Sequence, residues 1–143
     1  MGNAVWLFWA VPAWYFSTLL MPFGAGPLSA IPAAGAICLV IGAGWGVVKR
    51  KTNLLLFLLL VVASQILVVI AGFSRGSLRG TTNQLILQIL LGTFLLLQIA
   101  IAGYFVWRVK GARWPAVALA IFTSSYAAFG AFVAGMAFSD DWL

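Results

Sequence analysis

Asn53 to Lys110 reads NLLLFLLLVVASQILVVIAGFSRGSLRGTTNQLILQILLGTFLLLQIAIAGYFVWRVK. It divides into an apolar run from Leu54 to Phe73, a polar turn from Ser74 to Asn83, and a second apolar run from Leu85 to Trp107. A helix rises about 1.5 Å per residue and the hydrocarbon layer is about 30 Å thick, so about twenty apolar residues cross it. Both runs meet that length. The stretch is therefore predicted to be a transmembrane hairpin with Arg75 and Arg79 at its tip. A basic cluster follows each foot: Lys49, Arg50 and Lys51 on one side, Arg108, Lys110 and Arg113 on the other.

The whole chain has the same character. Its 143 residues are 64% hydrophobic and 7% charged, with a mean hydropathy of +1.13. A soluble domain carries about a quarter charged residues. This chain has too little polar surface for a water-soluble fold, so the bilayer is its expected solvent. A spanning β-barrel would need segments of about ten residues that alternate apolar and polar. The runs here are twice that length and do not alternate. Lipid offers the backbone no hydrogen-bond partners, so the runs are predicted to be helices. The expected fold is an all-α integral membrane bundle forming a single domain, 1–143. Its spans are placed near 4–23, 28–48, 54–73, 85–107 and 114–138.

The first of these segments has two readings. Ala4 to Phe23 is apolar and aromatic, with Pro12 at its centre. It is either a span kinked at Pro12 or a helix lying in the interface, where tryptophan is favoured. It lacks the basic start and small-residue cleavage site of a signal peptide. Pro22 to Pro27 is a turn signal. In the second segment Gly42 and Gly46 form a GxxxG pair that lets another helix approach closely. In the last segment Pro115 sits in the first helical turn, where its missing N–H is tolerated. Ala116, Ala120, Ser124 and Ala128 repeat every four residues along one row, and Ala127, Ala131 and Gly135 make a second row. Both rows suit helix packing.

Six of the eight basic residues lie in two loops on one side of the predicted bundle. By the positive-inside rule those loops face the cytoplasm of an inner, cytoplasmic membrane, and the C-terminus faces outward. Trp45, Trp107 and Trp114 flank the same loops as an aromatic belt. The net charge of +6 is thus read as topology, with no nucleic-acid partner expected. Lys49, Arg50, Lys51, Arg108, Lys110 and Arg113 are placed to touch anionic lipid at the membrane surface.

Polar residues within the spans are few. Gln84, Gln88 and Gln98 fall within an arc of about 80° at about 100° per residue. An unpaired amide costs several kcal/mol in lipid, so this face must meet protein or water. Together with Ser64, Gln65 and Ser124 it forms a candidate polar track for a small solute or ion. The alternative is hydrogen-bonded glue, with Gln88 or Gln98 bonded to Ser64 or Gln65. Arg75 and Arg79 are candidates to hold an anion or lipid headgroup, or to pair with Asp140, Asp141 and the terminal carboxylate.

Several chemistries have no residues to carry them. There is no histidine, Cys38 is the only cysteine, and the only carboxylates are Asp140 and Asp141. Haem, copper and zinc sites need clustered ligands, so no metal or cofactor is expected. Proton-coupled export needs an acid within a span, and nucleophilic hydrolysis needs a base beside the nucleophile. The chain is therefore expected not to be an enzyme by itself. The leading expectation is a non-catalytic accessory subunit of a larger membrane complex. The alternatives are an oligomeric channel with a glutamine-lined path, and a subunit of an enzyme whose catalytic residues come from a partner.

Overall fold

The computed structural model describes residues 2–17, 30–74 and 84–139. Five helices follow one another: α1 (Gly2–Ser17), α2 (Ala30–Val48), α3 (Leu56–Phe73), α4 (Gln84–Arg108) and α5 (Arg113–Ser139). A 3₁₀ turn, Thr52–Leu55, leads into α3, and no strand occurs among the described residues. Among the described residues four stretches are long and apolar enough to cross a bilayer: α2, Asn53–Phe73, Leu85–Arg108 and α5. With 16 residues, α1 is shorter. The protein is a multi-pass, all-helical membrane protein. Arg75, Arg79, Asp140 and Asp141 lie outside the described residues, as does the side chain of Gln84.

Composition decides which helix takes the centre. In lipid no hydrophobic drive separates one apolar helix from another, so close backbone approach through small side chains selects the partners. Helix α5 is the richest in alanine, and its Ala116, Ala127, Gly130, Ala134 and Ala137 are all buried. It packs against α2, α3 and α4, while α1 lies chiefly on α3. Half of α5's apolar window is buried, against 17% for α4. The leucine- and isoleucine-rich faces of α3 and α4 are left for lipid.

The α2–α5 seam illustrates how tight this packing is. A Cβ on Gly42 would lie 2.6 Å from Leu119 Cγ and 2.9 Å from the Pro115 carbonyl oxygen. One turn further, a Cβ on Gly46 would lie 3.1 Å from Leu54 Cδ1. Both glycines of the GxxxG pair are therefore spent within the chain.

The interior has two apolar layers. Leu54, Phe57, Leu60, Ala102, Ala116 and Leu119 fill the layer near the basic loops. Leu7, Val11, Val68, Ala71, Val133 and Ala137 belong to the layer at the other end, into which α1 inserts. Leu7, Val11 and Tyr15 recur every four residues and form the buried side of α1, which continues through Pro12.

Two turns close the basic end. After α2, Lys51 N–H donates to the Gly46 carbonyl (2.9 Å) and Arg50 N–H to that of Val47 (3.2 Å). This is a Schellman cap, in which the residue just before the final donor is left-handed. That left-handed residue is Arg50, at φ 52°, where glycine is usual. Between α4 and α5, Gly111 supplies the left-handed residue at φ 80°.

Candidate functional site

Between the two apolar layers lies a belt of hydroxyls and amides, drawn from four helices. On α3, Leu60 belongs to one layer and Val68 to the other; Ser64 and Gln65 stand between them, and both are buried. Gln98 of α4 is buried at the same height. Its Nε2 donates to the Leu60 carbonyl at 3.2 Å and to Ser64 Oγ at 3.4 Å. Ser64 Oγ donates to the same Leu60 carbonyl at 3.1 Å. The amide thus ties α4 to α3 at a point where the backbone already carries a second acceptor load.

The other half of the belt joins α1, α2, α3 and α5. Gln65 Nε2 donates to the Tyr126 hydroxyl. Ser125, next to it near the middle of α5, donates through Oγ to the Ile31 carbonyl at 3.1 Å. The Tyr15 hydroxyl lies 2.8 Å from the same Oγ. Because the serine proton goes to Ile31, Tyr15 is the donor in that pair. Tyr15 is packed edge-on against Phe122 and Phe129, and its ring is tilted on Tyr126. Ile31 is the second residue of α2, so the start of α2 and the last turns of α1 both reach the mid-height of α5.

Gly35 makes this junction possible. A Cβ there would collide with the Tyr15 hydroxyl and stand 2.7 Å from Ser125 Oγ. The belt also contains unmet demand. Gln65 Oε1 and Gln98 Oε1 are buried and accept no hydrogen bond among the described residues. An unmet buried polar atom costs about 1–3 kcal/mol, which offsets much of what the donated bonds contribute. The belt sets the relative heights of the helices more than it adds to stability.

The remaining candidate track residues go elsewhere. Gln88 is exposed on α4, and Ser124 is half-buried on α5. One chain does not place Gln88 and Gln98 on a common lumen. Tyr15, Tyr126 and Gly35 were not among the sequence candidates. Two tyrosines inside long apolar segments were the available signal, since a buried phenol needs a partner. Cys38 is a half-buried free thiol, and no group of three or more His, Cys, Asp or Glu occurs among the described residues. The polar side chains of the belt are hydroxyls and amides: Tyr15, Ser64, Gln65, Gln98, Ser125 and Tyr126.

A second feature adjoins the belt along α5, sharing Ser125 and Ile31 with it. Helices α2 and α4 both pack on α5 but not on each other. They leave an open groove of about 510 Å³. Ala120, Ser124 and Ala128 form its floor, Ala102 and Gly103 one wall, and Ile31 part of the other. The floor is the last three members of the small-residue row on α5; the first, Ala116, is buried in the layer near the basic loops. Nothing lies within 4 Å of a Cβ built on Gly103 or on Gly92 further along α4. Among the described side chains of α4 only Leu87, Gln98 and Ala102 are buried.

No family model, curated protein or solved structure was found to match the chain.

Proposed function

We propose that this protein is a non-catalytic subunit of a membrane assembly, and that a transmembrane helix of a neighbouring subunit lies in the groove between α2 and α4. The observation that carries this reading is the groove itself, an open cleft of about 510 Å³ between two helices with a floor of Ala120, Ser124 and Ala128. Small residues in that register let a second backbone come close enough for dispersion contacts, which are what hold helices together in lipid. Gln88 lies on the same flank of α4 as Ile99 and Val106, which line the groove, and its exposed amide gains a partner when a helix is seated there. The alternative of a solute path has less support, because Gln98 is bonded to α3 while Gln88 faces outward.

The test is site-specific crosslinking in the native membrane, after Cys38→Ser removes the endogenous thiol. Cysteines introduced at Gly103 and Ser124 are expected to form adducts with a neighbouring chain. A cysteine at Ile66, on the lipid-facing side of α3, is expected to form none. Ser124→Leu, which fills the floor, should abolish assembly while the chain stays folded. A monomer in the native membrane, with no adduct from either groove position, would overturn the proposal.

A further inference from the structure

At the basic end a second crevice opens between α2 and the start of α3. Its volume is about 350 Å³. The walls are Gly46 and Val47 on one side and Leu54 and Leu58 on the other, with Leu119 of α5 at the back; Arg50 and Lys51 stand among the lining residues. The crevice is therefore an oily slot with two cations beside it. No carboxylate side chain occurs among the described residues, so neither cation has an acidic partner there.

We infer that this crevice holds one anionic phospholipid, with an acyl chain against Val47, Leu54 and Leu58 and its phosphate on Arg50 and Lys51. Basic pockets between helix ends at the membrane surface suit acidic headgroups, and arginine adds a bidentate fork for phosphate. The backbone supports the assignment. Arg50 occupies a left-handed position that costs a side-chain-bearing residue stability and that glycine would fill freely. The Schellman turn reverses the chain there, and it sets two adjacent cations beside the slot instead of letting them continue along α2. Lys49, Lys110 and Arg113 do not line this crevice.

Native mass spectrometry of the purified protein, released from micelles supplied with equal phosphatidylglycerol and phosphatidylcholine, tests the assignment. One phosphatidylglycerol is expected to remain bound, with phosphatidylcholine at least tenfold rarer. Arg50→Gly with Lys51→Gln should lower that retention at least tenfold while the helical signal and thermal stability hold or improve. Lys110→Gln with Arg113→Gln removes the same charge and should leave retention unchanged. Val47→Trp fills the slot from an exposed position and should displace the lipid with both cations in place. Equal retention of the two lipids, equal loss in both charge variants, retention in Val47→Trp, or displacement by inorganic phosphate would each overturn the proposal.

Discussion

At position 35 a single methyl group decides whether three helices can meet. The Gly35 Cα faces the Tyr15 hydroxyl and Ser125 Oγ, and both are held by hydrogen bonds that fix their positions. Gly35→Ala must push the tyrosine off Ser125, which combines overpacking with a lost buried bond. A loss of about 1–3 kcal/mol is expected. Gly44→Ala is the control, because nothing lies within 4 Å of a Cβ at that position. There alanine should stabilise by about 0.5–1 kcal/mol, the usual gain over glycine within a helix. Reversible unfolding in mixed micelles of dodecyl sulfate and dodecyl maltoside, followed by circular dichroism, separates the two. Equal shifts in the two variants would mean that the Tyr15–Ser125–Ile31 junction does not depend on Gly35. The sequence showed four glycines in α2 but could not rank them, because the difference lies in what faces each one across the interface. For the same reason Tyr15 read as one aromatic among several.

Helix by helix, the same logic governs the α2–α5 seam. Gly42 meets the branched carbon of Leu119 and the Pro115 carbonyl, and the carbonyl cannot move without shifting α5. Gly46 meets the methyl end of Leu54, which can rotate away. Gly42→Ala is therefore expected to destabilise by about 1–3 kcal/mol, and Gly46→Ala to be within about 1 kcal/mol of neutral. The same micelle titration measures both, and a reversed order would mean that α2 and α5 do not pack as described. The helices themselves were legible because lipid leaves the backbone no other choice, and run lengths of apolar residues set their ends. Partner choice was less legible. Helical spacing placed Gln84, Gln88 and Gln98 on one arc, yet Gln98 is buried against α3 while Gln88 is exposed. An arc of 80° is wide enough to straddle the edge of a contact, and only the position of the neighbouring helix shows where that edge falls. The small-residue row on α5 was visible in the sequence as a packing face; that Ala120, Ser124 and Ala128 stay only half-covered follows from α2 and α4 standing apart.

For the molecule as a whole, the decisive asymmetry is between its two ends. The α2–α3 and α4–α5 connections emerge together at one end, and with the helix residues that flank them they carry six of the eight basic residues. A charge placed in such a short loop resists translocation, so this end is expected to face the cytoplasm. The lipid assignment gains from the same orientation, because the cytoplasmic leaflet carries the negative surface potential that draws basic residues. Neither the groove nor the belt depends on it, since both lie within the membrane. Orientation can therefore be tested without disturbing either. In a Cys38→Ser background, a cysteine replacing Lys110 is expected to react with a membrane-impermeant maleimide only after the cells are permeabilised. A cysteine replacing Ser77, in the connection between α3 and α4, should react in intact cells. If both react only after permeabilisation, the two connections share a compartment and the hairpin does not cross. If the pattern is inverted, the bundle stands but faces the other way, and the crevice beside Arg50 and Lys51 opens into the outer leaflet.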